Sequence, residues 1–306
     1  MKLCRFNRDR LGLVQGDHLV EVTDLFDRNP PWPPSPGDWI VRQAIEMGSG
    51  LEARAQDRPK TPLGDVRLES PVASPGKIVG APINYRAHIE EAHADQGIGF
   101  GRAFADLKEH GLFLKASSSL IGPSEPVRLR FPERRSDHEI ELVVVMGREA
   151  SQVPRERALE HVFGYAIGLD MTVRGPEWPV FRKSADTYAV LGPWIVTADE
   201  IADPNALDLA LRVNGELRQS ANTRQLIYDV QALIEYASSF YTLHPGDLIY
   251  TGTPEGVSQV QPGDVMDCEI EGLGRMHVSV AKSWFSQAPA ADGGALARPR
   301  PATQSY

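Results

Sequence analysis

A chain of 306 residues is long enough for one large domain, or for a core domain with a smaller companion. Its 42% hydrophobic and 24% charged content is ordinary for a soluble globular protein, and a formal charge of -9 disfavours nucleic acid and anionic membranes as partners. Cys4 and Cys268 stand in no metal-ligand spacing, and the chain shows neither a signal-peptide core nor 18 uninterrupted apolar residues, so a reduced, cytoplasmic setting with no membrane span is expected.

Residues 1–25 alternate as a hairpin with Gly16-Asp17 at the turn. "RNPPWPPSPGD" (28–38) is too rich in proline for a helix or a central strand, a helical pattern follows near 38–55, and "SPVASPGK" (70–77) marks a boundary. These features define an expected small N-terminal domain at 1–72 and a second domain at 73–284. In the second, strands are expected at 77–81, 139–146, 164–170, 208–213, 247–251, 265–270 and 275–281. A helix is expected at 224–242, where Leu226, Ile227, Val230, Leu233, Ile234, Ala237, Phe240 and Tyr241 keep three-four spacing. "HPGD" (244–247) and "QPGD" (261–264) read as turns that each introduce a strand. Many strands and few helices predict a β-rich α+β fold rather than repeated βαβ units. The Ala/Pro/Gly-rich end, 285–306, is expected to be a disordered tail.

The chemistry begins at "DHEIELVVVMG" (137–147). Glu139 and Glu141 sit at i and i+2 of a strand, hence on one face with Cα atoms about 6.6 Å apart. Two carboxylates facing one another in a partly buried site repel, and a divalent cation is the strongest compensation. Oxygen-only ligands favour Mg²⁺, Mn²⁺ or Ca²⁺ over zinc. Asp170, at the end of the apolar run in "GYAIGLDMTVRG", is a candidate third ligand. The same alternation also suits a strand face turned to water. In "INYRAHIEEA" (83–92), His88 and Glu91 share a helical face, the arrangement of a general base oriented by a carboxylate. Glu90 and His93 lie close enough to compete for those roles, and an ordinary surface helix would carry similar charge. Arg174, Arg182 and Lys183 follow Asp170 closely, which in an acidic protein suits a carboxylate-bearing substrate or, more simply, a solvated loop. "YTGTPEGVSQ" (250–259) offers backbone N–H groups and Thr253 to an anion, but lacks the Lys-Ser/Thr ending of a nucleotide-binding loop.

Taken in order, N-Y-x-x-H-x-x-E (84–91), "LFLKASSSLIGP" (112–123), H-E-I-E-L-x-V-V-x-G (138–147), "GLDMTVR" (168–174), "RKSADTYAVLGPWIVTADEI" (182–201), "VNGELRQSANT" (213–223) and "HPGDLIYTGTPEGV" (244–257) resemble the fumarylacetoacetate hydrolase family. The resemblance implies a β-roll catalytic domain, usually a homodimer, holding Mg²⁺ or Mn²⁺ on Glu139, Glu141 and Asp170. It makes His88 and Glu91 the catalytic dyad, and Lys183 and Thr253 substrate contacts; Arg174 joins them as a candidate from its position among the cations. Pro82 and Ser258 depart from the family pattern, which bears on loop shape and substrate choice. The implied reaction is hydrolysis of a carbon–carbon bond in a small anionic 2,4-dioxo acid through a metal-stabilised enolate, with Lys183 adding positive charge. The rival is an isomerase or decarboxylase of a 2-hydroxy-diene-dioate in aromatic-compound catabolism. A non-catalytic ligand-binding relative is disfavoured, because no metal or dyad position is substituted. Residues 92–111 are expected to form a lid over the substrate.

Overall fold

The apolar run Ile140–Met146 is buried along its whole length, near the middle of a twelve-stranded mixed sheet. The computed structural model describes residues 1–29, 32, 34–100 and 107–283. Across the sheet the order is Lys60–Pro62, His18–Glu21, Arg10–Gln15, Lys2–Phe6, Ala189–Thr197, Val162–Asp170, Ile140–Met146, Leu248–Tyr250, Ile78–Gly80 and Phe113–Lys115. Lys2 pairs with Val196 and Leu3 with Ile195, so the N-terminal strands continue the central sheet.

Alternation divides the buried run between two cores. Val143 and Val145 face a cluster supplied largely by the first 72 residues, including Leu3, Leu13, Val20, Val41 and Leu51. Leu142, Val144 and Met146 face the opposite way, into a cluster with Leu209, Leu211, Leu233, Met266 and Val278. That second layer is a five-stranded sheet, ordered Glu216–Asn222, Asp208–Val213, Val265–Ile270, Gly274–Lys282 and Val127–Leu129, together with the helix Val230–Phe240. Both faces are covered, which explains an unbroken apolar strand where a half-exposed one would alternate.

Each expected strand is present within a residue or two of its predicted bounds, and the β-rich α+β reading holds. The helix expected at 224–242 is shorter, Val230–Phe240. Asp229 caps it by accepting from the Ala232 amide, while the Asn84 side chain holds both the N–H and the C=O of Tyr228 outside the helix. The pattern near 38–55 resolves into Trp39–Met47 and Gly50–Ala55, parted at Gly48, whose φ of +51° stops the first helix. Ala189–Thr197 and Glu216–Asn222 are strands that periodicity does not reveal. The lid region expected at 92–111 takes in the end of the helix Arg86–Ala94 and the helices Gln96–Gly99 and Leu107–His110; its residues 101–106, and the tail expected at 285–306, lie outside the described residues.

Candidate active site

Antiparallel register brings the three candidate ligands together. Ile140 pairs with Leu169 and Glu141 with Gly168, so Asp170 at the end of its strand lies beside Glu139, whose carbonyl accepts from the Asp170 amide at 2.9 Å. One carboxylate oxygen from each of Glu139, Glu141 and Asp170 lies within 4.8 Å of the others, and all three residues are buried. A strand looking into water is therefore excluded as the setting of this pair.

Cations surround two of the three acids. Lys183 Nζ contacts Glu139 and donates to Asp170 Oδ2 at 2.6 Å. Lys115 Nζ contacts Asp170. Arg174 donates from Nη2 to Glu139 at 2.9 Å and from Nε to Asp137 at 2.7 Å. Burial alone would raise the Glu139 carboxyl, but the charges of Lys183 and Arg174 override it and hold it at about 2. Glu141 is different. Among the described residues it has no salt-bridge partner, only the Gly252 amide at 2.6 Å. Burial first, then the neighbouring Asp170 and Glu139, push its carboxyl well above the usual range. Three hard oxygen donors in reach of one point, one of them uncompensated, fit a divalent cation. Lys115, also buried, is shifted down by its loss of solvation despite Asp170.

The dyad stands on the helix Arg86–Ala94. His88 Nδ1 lies 2.8 Å from Glu91 Oε2, and the other Glu91 oxygen accepts from the Gly256 amide at 3.0 Å. An ionised carboxylate only accepts, so Nδ1 carries the hydrogen and Nε2 presents its lone pair. Glu90 and His93 are exposed, whereas His88 is buried. A cavity lined by His88, Glu139, Arg174 and Lys183 shares Pro82, Ile83 and Pro179 with a larger apolar cleft of about 760 Å³, into which Phe113, Trp178 and Tyr241 also project. The site thus has a charged floor and an apolar approach.

All three residues expected to touch substrate are engaged with the protein, Lys183 through Glu139 and Asp170. The Thr253 hydroxyl donates to the Ile140 carbonyl at 2.9 Å and accepts from Gln219 Nε2 at 2.8 Å. Arg174 is held by two buried acids. Lys115, Asp137 and Gln219 belong to the same assembly and were not singled out from the sequence. Asp137 was within reach of that reasoning, since it continues the i, i+2 series of Glu139 and Glu141. Lys115 had a signal too, a lysine closing an apolar run, "LFLK". Gln219 had none.

A buried triad of acids at the end of two antiparallel strands, with a carboxylate-oriented histidine facing it, defines a metal-dependent enzyme site on a β-rich frame. Residues 77–281 match the model of the fumarylacetoacetate (FAA) hydrolase C-terminal domain, and the chain belongs to the fumarylacetoacetate hydrolase family. The chain is 53% identical to maleylpyruvate hydrolase of Aquipseudomonas alcaligenes over 284 residues, covering 92% of this chain and 99% of that protein. It is 37% identical to a mitochondrial oxaloacetate tautomerase of Xenopus laevis, covering 90% and 88% of the two chains. The crystal structure of maleylpyruvate hydrolase from Sphingobium sp. SYK-6, in complex with manganese(II) and pyruvate, superposes with a TM-score of 0.78 at 42% identity, covering 92% of this chain and 99% of that one. The family resemblance and the expected fold class both hold.

Proposed function

We propose that the protein is a divalent-metal-dependent hydrolase that cleaves the carbon–carbon bond of an acylpyruvate-type 2,4-dioxo acid, maleylpyruvate being the favoured substrate, in the catabolism of aromatic compounds. The observation that carries this reading is the convergence of Glu139, Glu141 and Asp170 within 4.8 Å, beside His88 and Lys183. Glu139, Glu141 and Asp170 would hold Mg²⁺ or Mn²⁺, which would supply Lewis acidity to a carboxylate and its neighbouring 2-oxo group. His88, its Nδ1–H fixed by Glu91, takes a proton from water at Nε2 as the water oxygen adds to the distal ketone. The bond between C3 and C4 then breaks, leaving the acyl half as a carboxylic acid and its electron pair on the pyruvate half as an enolate. Lys183 stands beside that developing charge, and the proton held by His88 returns to C3. General-base help of this kind is worth about 10²–10⁴-fold.

Exposed Trp178, Val180 and Phe181, on one short segment, support a homodimer. The buried free thiols Cys4 and Cys268 agree with a cytoplasmic site of action. The test is incubation with maleylpyruvate or acetylpyruvate and Mn²⁺ or Mg²⁺, followed by product analysis. Pyruvate with maleate or acetate in equal amounts is expected. An ultraviolet change without cleavage would transfer the site to isomerisation of a 2-hydroxy-diene-dioate or keto–enol pair.

A further inference from the structure

The strand Ile140–Met146 carries Glu141 and is entered directly from Glu139, and on one edge its backbone pairing has a gap at the residue between the two acids. Leu248–Tyr250 pairs with Val143–Val145, and Thr251 still donates to the Leu142 carbonyl. At Gly252, with φ at +99°, the neighbouring chain turns away and aims its amide at Glu141 instead. On that edge, Ile140 is left without a backbone partner among the described residues. Two side chains take over. Gln219 Oε1 accepts from the Ile140 amide at 3.1 Å, and the Thr253 hydroxyl donates to the Ile140 carbonyl at 2.9 Å.

Gln219 comes from the strand Glu216–Asn222 of the other sheet and is buried. Its orientation follows from its partners. The Pro254 carbonyl only accepts and the Ile140 amide only donates, so Nε2 faces Pro254 at 2.9 Å and Oε1 faces Ile140. Nε2 also donates to Thr253 Oγ1 at 2.8 Å, which uses both of its hydrogens. Oε1 accepts a second bond, from His138 Nδ1 at 2.9 Å, so His138 carries its hydrogen on Nδ1, and its Nε2 accepts from the Ser258 hydroxyl at 2.8 Å. One amide thereby satisfies four buried groups on two segments of chain, 138–140 and 253–254.

We infer that Gln219 is a positioning residue of the metal centre, a side-chain substitute for the missing strand partner that sets the spacing of Glu139 and Glu141 and aims the loop bearing Gly252 and Thr253. The inference rests on the reading of Glu139, Glu141 and Asp170 as metal ligands. Partners one step behind the ligands govern metal affinity by orienting them, and their loss typically costs about 10–100-fold. Gln219→Leu keeps the approximate volume and removes every hydrogen bond. Gln219→Glu keeps the acceptor for Ile140 and loses the donors to Thr253 and Pro254.

Mn²⁺ binding by electron paramagnetic resonance tests this without reference to turnover. The Gln219→Leu protein, checked for native circular dichroism, should bind Mn²⁺ about 10–100-fold more weakly than the unsubstituted protein, with Gln219→Glu in between. Thr253→Val, which cuts the same tether from the other end, should weaken Mn²⁺ binding in the same direction, and the double variant Gln219→Leu/Thr253→Val should lose less than the product of the single losses. If Gln219→Leu does not fold, Thr253→Val and Gln219→Glu carry the measurement. Native Mn²⁺ affinity in folded variants that merely melt at lower temperature would overturn the inference and leave Gln219 a core residue. Mn²⁺ binding by the unsubstituted protein without cleavage of dioxo acids would instead count against the proposed reaction, leaving the Gln219 result legible.

Discussion

Lys183→Met separates stability from metal affinity. The ammonium contacts Glu139 and lies 2.6 Å from Asp170 Oδ2, and all three side chains are buried. At an effective dielectric of about 20, a unit pair at that distance is worth about 6 kcal/mol gross, and desolvation of both groups offsets part of it. Removing one partner of a buried pair leaves an uncompensated charge and costs about 3–5 kcal/mol net. For a chain of this size that corresponds to a melting temperature lower by about 6–10 °C in the presence of a chelator. The same ammonium occupies oxygens that would hold the cation, so its removal should tighten Mn²⁺ binding. Thermal unfolding with EDTA and with a Mn²⁺ series reads both effects. The substituted protein should start lower and rise further with Mn²⁺, because a fixed concentration is a larger multiple of a smaller Kd. Turnover should be lost even at saturating Mn²⁺. An unchanged melting temperature in EDTA, or an equal Mn²⁺-induced rise in both proteins, would refute the idea that Lys183 and the cation share ligand atoms.

His88→Asn should lower kcat by about 10²–10⁴-fold, with Mn²⁺ affinity within about twofold of native, since the ring sits opposite the acids; a parallel loss of metal binding would place His88 among the ligands. Gly252→Ala would put a Cβ 2.6 Å from the Asn84 Cβ at a φ of +99°, so urea unfolding should show a loss of at least about 2 kcal/mol, and an unchanged midpoint would contradict the described backbone. Burial pushes the Cys4 thiol from its ordinary 9.0 to about 12, and Cys268 moves the same way. A raised folded value means stability that is complete below pH 9 and declines as pH climbs toward 12, when the unfolded thiol ionises and the buried one does not. Native protein at pH 8 should leave both thiols unreactive to a disulfide reagent that labels them after denaturation; rapid labelling would show that one is accessible.

What could be read in advance was what is local. Parity along one strand placed Glu139 and Glu141 on a common face, and three-residue spacing joined His88 to Glu91; neither needs knowledge of a distant segment. The strand Ala189–Thr197 escaped because Gly192-Pro193 interrupts its apolar run, although neighbours on both sides hold it in the sheet. Thr253 was found but its direction was not: the hydroxyl turns inward because Ile140 needs an acceptor's partner at that edge. Gln219 could not be found at all, as its four partners lie 34 to 81 residues away and only the stacking of the two sheets collects them.

Charge accounting ties the site to the reaction. The buried acids of the assembly are Asp137, Glu139, Glu141 and Asp170, and the buried cations are Lys115, Arg174, Arg182 and Lys183, four against four. With every group ionised these cancel, so a bound divalent ion leaves the centre at about +2 in formal charge. A 2,4-dioxo acid brings one negative charge to the centre, on the carboxylate next to its 2-oxo group; the second carboxylate of maleylpyruvate belongs to the acyl half, away from that end. As the carbon–carbon bond breaks, the departing pyruvate half gains a second, on the enolate oxygen. The centre is therefore matched to the doubly charged species that forms during the reaction rather than to the singly charged group that binds, which is the condition for lowering a barrier instead of only filling a site. On this account, replacing Lys115 by methionine should depress kcat more than it raises KM for the substrate, because the charge it removes is opposed fully only when the enolate appears. A loss confined to KM would mean that the buried cations serve ground-state binding.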